Sequence, residues 1–149
     1  MKRFGILILA LVAALMLVAC NPGDDEGGTF DIELSGAEEV CEGDTCGGDG
    51  TGTAEVEINS DENQICYDIS LEGVENVTAA HIHSGEEGEA GPVLVNLEYP
   101  EGEDDGADQC VDGVSESDLE DISEEPANFY LNVHSQQYPD GAGRGQLAS

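Results

Sequence analysis

The sequence predicts an all-β fold, either an antiparallel β-sandwich or a flattened Greek-key-like barrel of about seven or eight short strands. Apolar and polar residues alternate in short segments such as 30–34 and 54–58, and this period of two is typical of strands with one solvent-facing side. Turn-forming clusters such as Gly47-Gly48-Asp49-Gly50 separate the segments. Beyond the apolar start of the chain, no long segment has the 3.6-residue period of an amphipathic helix.

The start of the chain predicts export and a lipid anchor. Met1-Lys2-Arg3 is basic and residues 4–19 are almost wholly apolar, as in a signal peptide and too short for a comfortable membrane span. The ending Leu17-Val18-Ala19-Cys20 resembles the bacterial lipobox, in which the cysteine is lipidated and the preceding peptide, here residues 1–19, is removed. Acyl chains on Cys20 would hold the protein on the cell envelope, at the outer membrane or cell surface. An uncleaved anchor with an incidental cysteine is the alternative.

The remaining residues predict a tether, 20–28, and one domain, 29–149. The alternating segments predict strands, in chain order, near residues 30–34, 54–58, 65–71, 77–83, 93–97, 128–134 and 144–148. The acidic segment 99–109 has no periodicity and predicts a solvated loop, since its spacing does not match a calcium loop. Ser117-Asp118-Leu119-Glu120 has capping-box spacing and predicts a short helical turn around 115–122 that ends before Pro126.

The charge of the chain is extreme and of one sign. The sequence has 34 acidic residues and three basic ones, and only Arg144 remains once Lys2 and Arg3 are removed with the signal peptide. Such a surface disfavours nucleic acid and anionic lipid as partners. The dispersed acids and near absence of lysine predict a halophilic protein that salt stabilises by screening self-repulsion. A surface protein that depends on divalent cations is the alternative.

The cysteines that follow Cys20 predict two disulfides, because their number is even and the chain is exported. Cys41 and Cys46 flank a four-residue loop, so the simplest pairing joins them and leaves Cys66 with Cys110. The second bridge would close a loop of about 45 residues and stabilise the fold by about 3–4 kcal/mol. A zinc site of four thiolates is the alternative, although none of the spacings is Cys-x-x-Cys.

The three histidines of the chain are the candidate metal ligands. His81 and His83 lie two apart in a predicted strand and therefore share a face, away from Ala80 and Ile82, and His134 lies in a second strand of similar pattern. If the two strands pair, three imidazoles could bind one copper or zinc ion. The alternative is that they hydrogen-bond to loop backbone and cap turns. The surrounding acids are expected to raise the pKa values of these histidines.

Arg144 is the remaining candidate residue. It lies between Gly143 and Gly145, where backbones can approach closely. Its planar fork of five donors suits a carboxylate or several loop carbonyls. We expect a structural ion pair that holds the last strand against the sheet, with a ligand-binding arginine as the alternative.

Four motifs resemble the CHRD domain, which is named after chordin and also occurs in secreted and lipid-anchored prokaryotic proteins. They are Ala80-His81-Ile82-His83, Gly91-Pro92-Val93, Asn132-Val133-His134-Ser135 and the closing segment 139–147. The resemblance covers Thr29 to Leu147 and implies a non-enzymatic binding or structural module of the cell envelope with an unidentified envelope or extracellular protein partner. The growth-factor ligands of chordin are not carried over.

The His-x-His step also resembles the copper-binding strand of copper/zinc superoxide dismutase. The further histidines and the zinc-ligand loop of that enzyme are missing, so a dinuclear site could not form. A mononuclear copper or zinc protein with superoxide-type redox activity is therefore the alternative to a non-enzymatic module. The sequence contains no Gly-x-Ser-x-Gly, phosphate loop or His-Glu-x-x-His motif that would indicate another enzyme.

Overall fold

The computed structural model describes residues 27–41, 43–100 and 106–148. In chain order the strands are β1 (Thr29–Ser35), β2 (Thr51–Asn59), β3 (Gln64–Glu72), β4 (Val77–Ser84), β5 (Val93–Leu97), β6 (Gly106–Asp112), β7 (Phe129–Ser135) and β8 (Gly143–Gln146). One helix, α1 (Glu116–Glu124), lies between β6 and β7. The predicted signal peptide and Cys20 lie outside the described residues, within which no helix is long and apolar enough to cross a membrane.

The eight strands of the described residues form one antiparallel sheet, in the order β5-β4-β7-β8-β1-β2-β3-β6, that is nearly closed. Strand β8 comes last in this series along the chain but lies in the middle of the sheet, between β7 and β1. Gly145 permits this placement, because a Cβ there would collide with the Glu33 carbonyl of β1. The prediction of an all-β antiparallel fold with seven or eight strands is confirmed.

The inward face of the sheet forms an aliphatic core. Val56, Ile82 and Val133 are fully buried, and each is flanked along its strand by more exposed or polar residues of the opposite face. Helix α1 closes the core with Leu119 and Ile122, which have 0% exposure. The period of two in the sequence therefore identified the buried face correctly.

Strand β6 corrects the prediction of an acidic loop over 99–109. Residues from Gly106 to Asp112 pair with β3, with Cys110 opposite Cys66. Ala107 is the buried residue of this strand and Val111 packs against the core while partly buried, so apolar alternation in the segment is weak. Pairing with the edge of β3 and the disulfide between Cys66 and Cys110 stabilise this strand. Neither can be recognised from the alternation of residues along the segment.

The helix lies where it was expected, but the predicted capping box is wrong. Helix α1 begins at Glu116 with Ser115 as its N-cap, and no side chain caps its first turn. Ser117 lies inside that turn, and its hydroxyl contacts the Ser115 hydroxyl at 2.7 Å. The helix ends at Glu124, before Pro126, as predicted.

Both predicted disulfides are confirmed. Cys41 pairs with Cys46, and Cys66 pairs with Cys110 across a sequence separation of 44. The first closes the loop after β1. The backbone of Cys46 also forms an isolated β-bridge with that of Gly141, just before β8. The second joins β6 to β3. The four thiolates are therefore not available as a zinc site.

Candidate metal centre

The three histidines meet on the polar face of β4 and β7. These neighbouring strands run antiparallel, with His81 opposite Asn132 and His134 opposite Ala79. Because side chains alternate along a strand, the imidazoles leave by the face opposite fully buried Ala80 and Ile82. The pairing of two strands far apart in sequence thus brings together the candidate ligands identified from the sequence.

The distances between the imidazoles approach those of a mononuclear site. His81 Nδ1 lies 3.0 Å from His134 Nε2, and one ring nitrogen of each of the three histidines lies within 4.8 Å of the others. Ligands about 2.0–2.1 Å from a tetrahedral zinc are about 3.4 Å apart. One pair is therefore close enough already, and the widest separation must shorten by about 1.4 Å for a metal to bind all three.

Backbone carbonyls fix the orientation of two of these rings. His83 Nδ1 lies 3.0 Å from the Gly91 carbonyl oxygen, and His134 Nδ1 lies 3.0 Å from that of Pro139. A carbonyl accepts only, so each Nδ1 carries the proton and each Nε2 keeps its lone pair, an assignment that follows from the hydrogen-bond partners. Such outer hydrogen bonds are usual for imidazoles that bind metal.

The Nε2 atom of His83 has no hydrogen-bond partner among the described residues, although it is buried. His83 is 8% exposed, and this nitrogen is shielded from solvent. An unsatisfied buried polar group of this kind costs about 1–3 kcal/mol. A ligand at this position would remove that cost.

All three imidazoles are electrically neutral at neutral pH. Burial lowers the pKa of His81 to about 4, with further contributions from His134 and His83. Burial also lowers the pKa values of His83 and His134, against the opposing effects of their hydrogen bonds to backbone carbonyls. Asp140 acts to raise the pKa of His134, as expected of a nearby acid, but desolvation outweighs it, so the expected net increase in the histidine pKa values is wrong. Neutral imidazole is the form that binds metal.

Arg144 lies next to the cluster and is 3% exposed. Its guanidinium donates to the carbonyl oxygens of Glu89 at 2.7 Å and Glu86 at 2.9 Å, and its central carbon lies 3.5 Å from the centre of the Tyr130 ring. Tyr130 in turn stacks on His83, with ring centres 4.9 Å apart. These hydrogen bonds go to loop carbonyls, which is one of the two partner types suggested by the sequence. The ion pair stays a prediction.

Glu39 and Asn132 also belong to this polar face, and the sequence analysis did not identify either as a functional residue. Asn132 is 4% exposed, lies between His81 and Arg144 in the register of β4, β7 and β8, and donates to Glu39 Oε2 at 3.2 Å. Burial raises the pKa of Glu39 to about 7, although Asn132 and Arg144 act to lower it. Asn132 could be found from the alternation of β7. Glu39 is one acid among 34.

An acidic groove adjoins the cluster through Arg144. It has a volume of about 820 Å³ and runs over the polar side chains of β1, β2 and β3. Its lining includes Asp31, Glu33, Glu55 and Asp68, and Arg144 lies at its boundary with the histidine face. A cleft lined by one sign of charge focuses the electric field and attracts ions of the opposite sign, which are cations for this groove.

A nearly closed antiparallel sheet with three neutral imidazoles on its polar face defines the class: a small β-domain with a candidate site for one transition metal ion. The sequence model of the CHRD domain matches residues 30–147, and the chain therefore belongs to the CHRD family. The family indicates an extracellular module and is not a known family of enzymes. No match was found among curated proteins or among solved structures.

Proposed function

We propose that this protein is a non-enzymatic binding module of the cell envelope that binds one zinc or copper ion at His81, His83 and His134. One observation carries the metal proposal: carbonyls of Gly91 and Pro139 accept from Nδ1 of two imidazoles, so that their Nε2 atoms keep lone pairs, and one nitrogen of each of the three histidines lies within 4.8 Å of the others. An all-nitrogen set without thiolate or carboxylate suits copper and zinc.

A purely structural role for the histidines explains less of this geometry. Hydrogen bonds to backbone account for one nitrogen of His83 and one of His134. They leave His83 Nε2 buried without a partner among the described residues. The 3.0 Å contact between His81 Nδ1 and His134 Nε2 is itself a hydrogen bond, in which His81 donates if His134 is protonated at Nδ1. A metal ion bound by all three histidines would satisfy His83 Nε2 and replace that hydrogen bond.

The metal proposal is tested on untagged protein, because an affinity tag supplies ligands of its own. After dialysis against zinc or copper and then molar salt with excess Mg²⁺, we expect about one zinc or copper ion per chain by elemental mass spectrometry. His83→Ala is expected to lose this ion, because it removes the buried nitrogen donor.

Glu55→Gln is the control, since it removes an exposed acid of the groove and no imidazole. Metal that is absent from the wild-type protein after this dialysis, or that remains bound in His83→Ala, would contradict the proposal. The first result would mean that zinc or copper binds only nonspecifically to the acidic surface and is displaced by Mg²⁺. The second would mean that His83 is not a ligand.

A redox activity of bound copper is the second candidate. His81 and His134 are only partly buried, so a small molecule could reach a metal from their side. Superoxide consumption by the copper-loaded protein, lost in His81→Ala, would favour this candidate over a binding module.

The location that we propose is the cell envelope, with the domain held there by acyl chains on Cys20 and an envelope protein as its partner. The apolar segment before Cys20 and the extracellular character of the CHRD family support it. Mass spectrometry of the peptide that begins at Cys20 is the measurement, and an unmodified cysteine would contradict the anchor.

A further inference from the structure

The loop 85–92, which joins β4 to β5, is held against β7 and β8 by side-chain hydrogen bonds. Arg144 donates to the carbonyls of Glu86 and Glu89, and Gln146 donates to that of Gly85 at 2.7 Å. At the far end of the loop, the Gly91 N–H donates to the Tyr130 hydroxyl at 3.1 Å. Three side chains of β7 and β8 therefore hold the loop against the sheet.

Gly91, near the end of this loop, is also the partner of a candidate metal ligand. The Gly91 carbonyl accepts the hydrogen bond from His83 Nδ1, which leaves His83 Nε2 with its lone pair in a ring that lies beside His81 and His134. Only glycine fits there, because a Cβ on Gly91 would collide with the Ser84 carbonyl oxygen. The orientation of His83 thus depends on the position of the loop backbone.

Arg144 makes the most contacts in this arrangement. Its two terminal nitrogens reach carbonyls three residues apart in the loop, and its guanidinium covers the face of Tyr130. Strand β8, which carries Arg144, and strand β4, which carries His83, flank β7 on opposite sides. Tyr130 of β7 contacts both residues, so the loop, Tyr130 and His83 form one connected unit.

We propose that Arg144 is a positioning residue for the metal site. By holding the loop 85–92 on the sheet, Arg144 keeps the Gly91 carbonyl in place, and this carbonyl orients His83 toward His81 and His134. This inference rests on the proposed function and assigns a role to the single basic residue among the described residues. A lysine could not take this role fully, since an ammonium lacks the planar fork and the stacking face.

Electrostatics and positioning predict opposite effects when Arg144 is removed. The positive charge of Arg144 acts on His83 and opposes a second positive charge there. If charge alone mattered, its loss in Arg144→Gln would tighten metal binding. If positioning dominates, the same substitution weakens binding because the Gly91 carbonyl is no longer held. The direction of the change therefore separates the two.

The experiment compares zinc affinity, measured by chelator competition, in wild type, Arg144→Gln and Arg144→Lys. We expect Arg144→Gln to bind zinc about 10- to 100-fold more weakly, as is typical when an outer hydrogen-bond partner of a ligand is lost. Arg144→Lys is expected to lie between the two, because one ammonium can reach one loop carbonyl. Equal or tighter binding by Arg144→Gln would overturn the inference and leave the metal site intact.

The histidine tautomers give a readout that general destabilisation would not produce. In metal-free wild-type protein, nitrogen NMR should show His83 and His134 both protonated at Nδ1. In Arg144→Gln, we expect His83 to populate both tautomers while His134, held by Pro139, stays unchanged and serves as the internal control. If the tautomers of His83 and His134 change together, the role of Arg144 is only structural. If neither histidine changes its tautomer, the inference is wrong.

The same design separates failure of the inference from failure of the proposed function. A wild-type protein that binds no zinc or copper rejects the metal site, whatever the tautomers show. If Arg144→Gln does not fold, Arg144→Lys carries the test, since it retains the charge and loses the fork. Wild-type zinc affinity and a single His83 tautomer in that variant would then overturn the inference.

Discussion

Glu39 and Asn132 share a hydrogen bond, yet each retains one buried oxygen that has no partner among the described residues. A proton on Glu39 Oε1 would let it donate to Asn132 Oδ1, so that acid and amide form a reciprocal pair. Burial raises the pKa of Glu39 from 4.5 to about 7, although the hydrogen bond from the Asn132 amide acts to lower it. Since the folded state binds this proton more tightly than the unfolded state, Glu39 stabilises the fold most below pH 4.5, and this contribution is lost as the pH rises to 7.

The histidines change stability in the opposite direction. Burial lowers the pKa of His81 from 6.5 to about 4, so its contribution is complete above pH 6.5 and is lost as the pH falls toward 4. Between pH 4.5 and 6.5, Glu39 and His81 therefore change the free energy of unfolding in opposite directions, and their effects partly cancel. A substitution at one residue is needed to reveal the contribution of either.

Glu39→Gln is expected to be more stable than wild type at pH 8, and the advantage should shrink toward pH 4.5. Glutamine keeps an amide donor in place of the carboxyl proton and cannot ionise. The change between the two pH values should be about 1 kcal/mol, after allowance for the partial exposure of Glu39. Urea unfolding at a series of pH values measures it.

Glu38→Gln is the matched control, because Glu38 is the exposed neighbour of Glu39 in the same turn. In Glu38→Gln, the free energy of unfolding should depend on pH as it does in wild type. A Glu39→Gln protein that shows the wild-type slope would contradict the assignment of a shared proton to Glu39 and Asn132.

The strands show what a local pattern can and cannot reveal. β1, β2, β3 and β5 alternate clearly, and each was found from sequence because its buried residues recur every second position. β6 was missed, because it exists through pairing with β3 and through the disulfide between Cys66 and Cys110. The histidine site could be anticipated because both of its strands alternate. The part played by Glu39 could not, since it depends on a fold contact 93 residues apart in sequence.

The two disulfides should differ in their contribution to stability. Replacing Cys66 and Cys110 by alanine should lower the free energy of unfolding by about 3–4 kcal/mol, because the bridge closes a long loop of the unfolded chain. The same change at Cys41 and Cys46 should cost about 2 kcal/mol, since that loop is short. Denaturant unfolding of the two double variants measures the difference.

Each double variant serves as the control for the other. Equal losses, or a larger loss from the Cys41 and Cys46 variant, would contradict the loop-length argument. Such a result would indicate that the disulfide between Cys41 and Cys46, which lies beside Gly141, stabilises the protein through contacts of the folded state.

At the scale of the whole molecule, the described residues carry one arginine and no lysine, so almost every acid lacks a cationic partner and repels its neighbours. The described strands place many of these acids on the solvent-facing side of the sheet, four of them along the groove. The amino-acid composition alone indicates the excess of unpaired acids. That four of these acids line one groove follows only from the register of β1, β2 and β3.

The melting temperature should rise steeply from low salt to molar KCl or NaCl. Screening shortens the reach of the repulsion from about 10 Å at 0.1 M to about 3 Å at 1 M salt. Both salts should act alike, and sucrose at equal osmolality, which does not screen charge, should raise the melting temperature less. Calorimetry measures it, and a flat response to salt would contradict the prediction of a halophilic protein.

The position of β8 has a consequence for how the protein is made. The sheet cannot join its two halves, β5-β4-β7 and β1-β2-β3-β6, until the ribosome has released almost the entire domain, because the joining strand Gly143–Gln146 is synthesised last. Completion of the sheet is thereby delayed until this strand has been synthesised. The strand also carries Arg144, so the loop whose carbonyls Arg144 binds can be held against the sheet only at that late stage.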